Sequence, residues 1–371
     1  MGRDYTSQLT ATEQAALRDH HFQRETFEAL WERYRGGQWT AGDNEVKGEV
    51  RAPGRGELPA LPKRASPEGR RLREVGRRAL RNGEVGALVL NGGMATRFGG
   101  AVKGCVEVFE GQCFLGLKLA DAARYGDAVS VLLMNSFATD EMTREHLDER
   151  GWYDMDRDQI LTFTQNVSLR LTPEGKIFEP GEGDTLYAPG HGDVAEAVQR
   201  GALAEFRARG GKYLLMSNVD NLLARLDPLL VGLHVVAAEE DGVEMTAEVV
   251  DNQGSATGGM PARVDGGLQI LEAFRFPRGF DVAAIPVYNT NTFWFTAEAL
   301  QRSFDLDWFV VEKEVGDARA VQFERLAGQL SAFLKTRFVQ VPREGGESRF
   351  LPIKHREELE ANRDFLRRVL L

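Results

Sequence analysis

Apolar runs and helix-like segments alternate along the middle of the chain. The runs have the length of buried strands, and the segments between them place apolar side chains at helical spacing. Strands are predicted at 88–90, 106–109, 129–134, 160–164 and 213–217, and helices at 114–125, 139–150 and 193–209. Strands alternating with helices predict an α/β fold with a doubly wound, mostly parallel sheet, whose ligand site lies at the carboxyl ends of the strands.

The two ends of the chain have different patterns. Residues 9–36 predict one or two N-terminal helices, 36–67 a Gly- and Pro-containing extended connection that could lie over the main domain, and 70–82 a further helix. Beyond 244, shorter apolar runs predict a β-rich, ligand-facing portion, with strands at 245–250, 262–264, 268–271, 287–289, 292–295 and 337–341, and helices at 320–326 and 356–370. We expect an N-terminal segment over 1–82, a main domain over 83–355 and a C-terminal helix over 356–371.

Composition and charge exclude several classes of protein. The formal net charge of -10 and the pI near 5.3 argue against a nucleic-acid-binding surface, which needs a concentrated excess of Lys and Arg. No window approaches the roughly 18 to 20 apolar residues of a membrane span, and the N-terminus has no signal-peptide core, so we expect a cytoplasmic protein without a membrane partner. Cys105 and Cys113 form no CxxC motif, and neither a zinc site nor a disulfide framework is predicted.

A glycine-rich loop, LNGGMATRFGGAVKG, follows the first predicted strand of the main domain. Glycines let backbone N–H groups approach an anion closely, and Arg97 and Lys103 add positive charge, so the loop is typical of phosphate binding. Phe98 stands where a Walker A motif after Gly93 needs its second glycine, and Ala95 stands at the second glycine of a dinucleotide fingerprint. Both of those motifs are excluded, and a glycine-rich turn without a ligand is the alternative.

Polar side chains follow four of the predicted strands at the point where each ends. They are Asn135, Gln165, Asn218 with Asp220, and Asn289 with Asn291. One such cluster is ordinary turn chemistry. Because four clusters occur together with the glycine-rich loop, we expect them to contribute to one site.

With these residues in view, the chain resembles the UTP-dependent sugar-1-phosphate uridylyltransferases, above all the eukaryotic type of UDP-glucose pyrophosphorylase. The resemblance extends over about residues 88–354, and its specificity comes from the order and number of the matching segments. These are LNGGMATRFGGAVKG, LLMNSFATDEMT, FTQ at 163–165, YAPGHGDV, LLMSNVDNLLARLDP, GGMPARVDGGLQILE, VYNTNTFWF, VQFERLAG and SRFLPIK.

Two departures from the glucose enzymes affect what the resemblance implies. The Thr96–Arg97 pair and the Val-Lys-Gly around Lys103 look more like the UDP-N-acetylhexosamine pyrophosphorylases, whereas MNSFATDE, PGHGDV and SRFLPIK look like the glucose enzymes. The sugar is therefore left open, with an N-acetylhexosamine or another hexose as the alternatives to glucose. The sequence ends soon after SRFLPIK, so no C-terminal β-helix domain of the kind found in the eukaryotic glucose enzymes is expected.

The resemblance implies the Rossmann-like, GT-A-like fold of nucleotide-diphospho-sugar transferases and a Mg²⁺-dependent reaction. UTP and a hexose 1-phosphate, with glucose 1-phosphate favoured, would give a UDP-sugar and pyrophosphate. The alternative from another class is a nucleotide-sugar-binding protein without turnover. Lys103, Asp220 and Lys354 together disfavour it, because a binder does not need the full phosphate-neutralising set.

A role for each site residue is also implied by the resemblance. Lys103, Lys354 and Arg97 would be the catalytic cations on the phosphates, and Asp220 would hold the metal. The nucleotide would contact Asn91, Gly92, Gly93, Gln165 and Gly190, with Gln165 at the uracil edge. The sugar would contact His191, Asn218, Glu272, Asn289 and Asn291.

The residue patterns leave simpler alternatives for several of these positions. Lys103 and Lys354 could be solvated surface lysines, Arg97 could support the loop through a salt bridge, and Asp220 could cap a helix. Gln165 could be a turn or strand-end amide, His191 a structural histidine and Glu272 a solvated side chain. Asp193 is predicted to cap the helix that follows it rather than to take part in chemistry.

Overall fold

The computed structural model describes residues 5–54, 56–95, 100–178, 185–252 and 258–371. The helices of these residues are α1 Ala11–Asp19, α2 Arg24–Arg35, α3 Pro67–Arg81, α4 Phe114–Ala123, α5 Asp140–Glu149, α6 Val194–Ala197, α7 Ala202–Ala208, α8 Pro228–Asp241 and α9 Arg356–Leu370. None of the helices in these ranges is long and apolar enough to cross a membrane.

The strands fall into one large sheet and several small ones. The large sheet contains β2 Val85–Leu90, β7 Ser130–Asn135, β8 Ile160–Thr164, β11 Tyr213–Asn218, β12 Met245–Asp251, β15 Val287–Thr296 and β18 Thr336–Gln340. The others are β1 Val50–Arg51, β3 Met94–Ala95, β4 Ala101–Val102, β5 Glu107–Phe109, β6 Gln112–Cys113, β9 Ser168–Leu169, β10 Leu186–Tyr187, β13 Met260–Val264, β14 Gly267–Leu271, β16 Phe309–Val315 and β17 Ala318–Glu324.

The large sheet has seven strands in the order β18-β12-β15-β11-β2-β7-β8. Neighbouring strands are parallel except at β15, which is antiparallel to both β11 and β12. Six strands therefore run in one direction, and the predicted α/β fold with a mostly parallel sheet is confirmed in the form of a mixed sheet.

Alternate residues of the central strands enter two separate cores. Ala87 and Val89 of β2 join a core with residues of α3, α4, α8 and α9, whereas Leu88 and Leu90 join one with residues of α6 and α7. Because successive side chains of a strand point to opposite faces, the fully buried β2 reads as a continuous apolar run. The sheet is thus covered on both faces, as a doubly wound arrangement requires.

The N-terminal helices pack onto a hairpin that the apolar pattern did not predict. Residues 320–326 were expected to be helical, but Ala318–Glu324 is strand β17, paired with β16 around a turn in which Gly316 has a φ of +58°. The buried side chains of this hairpin form a core with those of α1 and α2. In that core the rings of Trp39 and Phe323 stack, with 5.2 Å between their centroids. The helix prediction was wrong because strand pairing and this packing override local periodicity.

Two other predicted elements are divided or moved. The single helix expected over 193–209 is two short helices, α6 and α7, separated by a turn in which Gly201 has a φ of +127°. The strand expected at 106–109 is β5, which pairs with β6 outside the large sheet. Short runs of apolar residues do not reveal which sheet a strand joins.

Only part of the β-rich portion predicted after residue 244 forms a separate lobe, because 245–250 belongs to β12 and 287–289 and 292–295 form the single strand β15, both in the large sheet. The lobe is the segment between them, where β13 pairs with β14 on one side and with β1 on the other, around a small core that includes Met260, Leu271 and Ile285. Where the lobe leaves and rejoins the sheet, the Asn252 N–H donates to the Pro286 carbonyl at 2.8 Å. The lobe therefore begins and ends at the same place on the sheet.

A buried ion pair fixes the segment after β18 against the sheet. Arg349 donates through Nε to Glu248 Oε2 at 3.0 Å and through Nη2 to Oε1 at 2.7 Å, and the side chains are 4% and 0% exposed. Trp294 Nε1 also donates to Glu248, at 2.8 Å. A bidentate, fully hydrogen-bonded pair is the arrangement in which buried charges are tolerated.

We predict that Arg349→Met lowers the free energy of unfolding by about 3–5 kcal/mol, because it leaves Glu248 charged and uncompensated in the interior. Urea denaturation measures the change. The matched control is Arg71→Met, which removes an exposed pair with Glu240 and should cost no more than about 1 kcal/mol. Equal losses in the two variants would contradict the prediction.

Candidate active site

A cavity of about 390 Å³ lies at the carboxyl ends of β2, β7 and β11, the edge where a doubly wound sheet assembles ligand sites. Its lining residues come from several strand ends and loops. They are Leu90, Gly92, Gly93, Lys103, Met134, Gln165, Ala188, Gly190, His191, Asn218, Val219 and Asp220. Eight residues with a predicted site role are thus brought together: Gly92, Gly93, Lys103, Gln165, Gly190, His191, Asn218 and Asp220.

The remaining predicted site residues lie behind the cavity, beside it or outside the described ranges. Asn91 lies behind the wall, while Asn289, Asn291, Glu272 and Lys354 are not among the lining residues. Arg97 lies outside the described residues, so its predicted role remains a prediction.

Lys103 and Asp220 form an ion pair in the cavity wall. Lys103 Nζ lies 3.5 Å from Asp220 Oδ2, and the two side chains are 12% and 20% exposed. Asp220 Oδ1 is buried and has no hydrogen-bond partner among the described residues. Burial raises the pKa of Asp220, while the positive charges of Lys103, Lys354 and Lys118 lower it. A buried carboxylate oxygen without a partner is costly unless a cation or donor reaches it.

Lys354 is held beside Asp220 through the backbone. The Ile353 N–H donates to the Asp220 carbonyl at 3.2 Å, and Pro352 forms a β-bridge with Asn221. The Lys354 side chain is exposed, and its charge lowers the pKa of Asp220. A residue more than 130 positions along the chain thus joins the Lys103–Asp220 pair. No helix begins at Asp220, so the alternative of a helix cap is wrong.

A third lysine, Lys118, is buried and holds the turn that contains Asp220 through hydrogen bonds. Its Nζ donates to Ser217 Oγ at 3.0 Å and to the carbonyls of Asn221 and Ala224 at 2.7 and 2.9 Å. Burial lowers the pKa of Lys118 to about 7, although Asp121 raises it. Lys118 was not among the residues predicted from the sequence, although it stands out as a single cation inside the apolar helix FLGLKLADAA.

Gln165 lies across the first glycines of the loop. Its backbone N–H donates to the Asn135 carbonyl at 2.9 Å, which places it directly after β8. A Cβ at Gly92 would collide with Gln165 Nε2, so only glycine allows the amide this position. The amide can both donate and accept within the cavity.

Asn91 organises the loop from behind. It is fully buried, and its Nδ2 donates to Asn135 Oδ1 at 2.9 Å and to Thr143 Oγ1 at 3.0 Å. A Cβ at Gly104 would collide with Asn91 Oδ1, so the two ends of the loop meet at this side chain. The geometry assigns Asn91 to loop positioning, and a nucleotide contact through its side chain stays a prediction.

His191 lies in a loop held by Arg325. Gly190, with a φ of +88°, passes so close to the Arg325 carbonyl that a Cβ would collide with it. The next residue, His191, accepts at Nδ1 from the Ala327 N–H at 3.0 Å. Burial lowers the pKa of His191 to about 4. The ring is therefore neutral, with its proton on Nε2, and it can serve as a donor toward a ligand.

Asp193 does not cap the helix that follows it, and that prediction was wrong. The side chain makes no capping hydrogen bond; it pairs with Arg325 and accepts from the Asn166 N–H at 3.0 Å. Both charged groups are nearly fully buried, so each compensates the other. Arg325 was not identified from the sequence, although it directly follows β17, in which four consecutive residues, 320–323, are buried.

Asn218, Asn289 and Asn291 form a chain of amides at the edge of the cavity. Asn291 Nδ2 donates to Asn218 Oδ1 at 3.0 Å, and the Asn291 N–H donates to Asn289 Oδ1 at 3.0 Å. Asn291 has a φ of +54° within a bulge of β15, where the register shifts opposite Glu248 and Val249. Bulges re-aim side chains beside sites, and Asn291 Oδ1 is buried without a partner in the described chain.

Glu272 lies in the lobe, with its carboxylate between Gly259 and Gly328. A Cβ on Gly259 would come within 2.8 Å of Glu272 Oε1. Burial raises the pKa of Glu272 to about 7, and Arg275 lowers it only partly. Because this shift comes from burial, the alternative of a fully solvated side chain is wrong.

We predict that His191 keeps its proton on Nε2 at neutral pH and gains a second proton only near pH 4. The unfolded chain protonates near the ordinary value of 6.5, so the contribution of His191 to stability falls as the pH drops from about 6.5 to about 4 and is constant above that window. ¹⁵N NMR of the histidine rings measures the tautomer and the pKa of His191, and the His191→Gln variant assigns its signals. A proton on Nδ1 at pH 7 would contradict the prediction.

Comparison with known proteins places the chain in a family. The family model described as UTP--glucose-1-phosphate uridylyltransferase matches residues 64–365. Proteins of that name from Pyrus pyrifolia and Solanum tuberosum are each 31% identical over 301 residues, which is 73% of this chain and 60% and 59% of the relatives. The chain thus spans about three fifths of the length of these relatives.

Solved structures share the fold over most of the chain. The uridine diphosphate N-acetylglucosamine pyrophosphorylase of Trypanosoma brucei superposes with a TM-score of 0.73 at 19% identity, covering 96% of this chain and 79% of its own. The UDP-glucose phosphorylase of Trypanosoma brucei gives 0.73 at 25% identity, covering 96% and 78%. The fold, the site at the strand ends and the family match lead to one conclusion: the chain belongs to the UTP–glucose-1-phosphate uridylyltransferase family.

Proposed function

We propose that this chain transfers the uridylyl group of UTP to a hexose 1-phosphate, with glucose 1-phosphate favoured, and releases pyrophosphate. The observation that carries the proposal is the meeting of Lys103, Asp220 and Lys354 beside the glycine-rich loop. The relatives named for this reaction support it. The expected GT-A-like fold and cytoplasmic location are part of the proposal.

In this reaction an oxygen of the sugar phosphate forms a bond to the α-phosphorus of UTP. The bond between the α-phosphorus and its bridging oxygen to the β-phosphate breaks, and pyrophosphate leaves with that electron pair, in line with the attacking oxygen. The protein therefore needs to align two anions and neutralise the charge that develops, rather than supply a nucleophile. Lys103, next to the glycine-rich loop, would do this at the phosphates of UTP, and Lys354 at the second phosphate.

The residues of the cavity fit one Mg²⁺ ion shared with the substrates. Mg²⁺ is commonly bound by one or two carboxylates, with substrate phosphates and waters completing its shell. Asp220 offers one carboxylate with a buried, unpaired Oδ1, and the described ranges contain no cluster of three or more His, Cys, Asp or Glu that would form a cage. When bound, the ion would supply charge neutralisation at the phosphates.

The polar groups around the cavity suit the two neutral parts of the substrates. The Gln165 amide can donate and accept where the uracil edge presents both functions. The Nε2–H of His191 and the amides of Asn218, Asn289 and Asn291 suit hydroxyl groups of a sugar or ribose. Glu272 is proposed as a sugar contact from the lobe.

The test of the proposed function is pyrophosphate release from UTP with Mg²⁺ and either glucose 1-phosphate or N-acetylglucosamine 1-phosphate. We expect release with glucose 1-phosphate, abolition by EDTA and recovery on adding excess Mg²⁺. Release only with the N-acetylated sugar would change the substrate. No release from folded protein that binds UTP would replace the proposal with a nucleotide-binding role.

We predict that Lys103→Ala and Asp220→Ala each lower kcat by about 10²–10³-fold while UTP binding weakens much less, because their contribution is to developing charge. Steady-state kinetics and calorimetric titration with UTP measure the two effects. The matched control is Lys212→Ala, which removes an exposed lysine at the opposite end of β11 and should leave kcat unchanged. If kcat and UTP affinity fell by the same factor in Lys103→Ala, the prediction would be contradicted and Lys103 would act in UTP binding alone.

A further inference from the structure

A second cavity, of about 270 Å³, lies between the turn that precedes α8 and the segment that follows β18. Four arginines contribute to its wall, and none of its lining residues lines the first cavity. The lining residues are Arg64, Arg124, Leu223, Arg225, Leu226, Asp227, Pro228, Gly346, Glu347, Ser348 and Arg349. Guanidinium groups that lie this close together repel one another unless negative charges compensate them.

Three of the four arginines have carboxylate partners. Arg64 pairs with Asp227 and, at 2.9 Å, with Glu347. Arg349 pairs with Glu248, as described above, and Arg124 Nη1 lies 3.0 Å from Asp121 Oδ1. The two carboxylates that line the cavity are therefore both used by Arg64.

Arg225 makes no ion pair with any residue that the structure describes. Its Nη1 donates to the Val369 carbonyl in the last turn of α9, at 2.8 Å. Burial lowers the pKa of Arg225, and the neighbouring Arg349 and Arg124 lower it further, while Asp121 and Asp227 raise it. A half-buried cation next to two others is stabilised by an anion that enters the cavity.

We propose that this cavity binds a small phosphate-bearing molecule, with the phosphate between Arg225 and Arg124. Guanidinium groups match phosphate oxygens bidentately, and two of them approaching one dianion suit a phosphate better than a single carboxylate. At about 30 Å³ per water, the volume corresponds to roughly nine waters, which leaves room for a small organic part. Asp227 and Glu347 are both paired with Arg64, and neither forms an ion pair with Arg225 among the described residues.

The cavity shares its framework with the candidate active site. Arg349 Nη1 donates to the Arg225 carbonyl at 2.8 Å, and Asn221 bonds to both the Arg349 carbonyl and the Leu351 N–H. The same short segment continues to Lys354 beside Asp220. An anion at Arg225 would therefore stabilise the position of Lys354. An effect of the anion on the reaction rests on the proposed function, whereas the binding of the anion in this cavity does not.

The experiment is calorimetric titration with inorganic phosphate in a chloride buffer, which requires no turnover. The Lys103→Ala/Lys354→Ala variant serves as the background, because it weakens any binding of phosphate in the first cavity. In this background we expect phosphate to bind, and Arg225→Gln to weaken it by about tenfold or more. Arg77→Gln, an exposed arginine of α3, is the matched control and should bind as the background does.

Arg124→Gln provides a second variant, since its side chain is 57% exposed and its loss should not prevent folding even if Arg225→Gln does. We expect it to weaken phosphate binding by about threefold or more. Three results would overturn the proposal: no binding in the background up to about 10 mM phosphate, affinity unchanged by both arginine substitutions, or an equal loss in Arg77→Gln.

Discussion

The buried pair between Arg349 and Glu248 is the interaction on which the site depends. Glu248 belongs to β12, an interior strand of the sheet, and Arg349 belongs to a segment with little regular structure that leads from the border strand β18 to Asp220, after β11. Both charges are buried, so any shift of this segment along the sheet would leave two unpaired ions in the interior. The ion pair therefore holds the segment in one position, and it fixes the position of Lys354 as well.

Positive charge around Asp220 exceeds what one carboxylate needs. Lys103, Lys354 and Lys118 all lower its pKa, yet burial still raises it, and Oδ1 has no donor among the residues that the structure describes. The cavity therefore places three lysines around a single carboxylate and leaves one buried oxygen of that carboxylate without a donor from those residues. A polyphosphate accompanied by a divalent ion would satisfy both requirements together.

The sequence predicted the sheet and its ligand edge well, because buried parallel strands are continuous apolar runs and the polar residues that follow them share one edge. It did not reveal the partners that fix the loops. Arg325 and Arg349 act through buried ion pairs with residues distant in sequence, and Lys118 acts through hydrogen bonds to the turn after β11. Of the three, Lys118 alone has a local signal, as a single cation inside an apolar helix. Asp193 illustrates the limit: a helix cap and a buried ion-pair partner look the same before the fold brings Arg325 beside it.

The reversed direction of β15 has a consequence for how this family can vary. Because β15 is antiparallel to its neighbours, it enters the sheet at the ligand edge, so the lobe that precedes it is delivered to the site without any crossing of the sheet. The hydrogen bond between Asn252 and Pro286 closes the lobe at its base. Changes in the length of this lobe therefore need not disturb the sheet or the cavity at its strand ends.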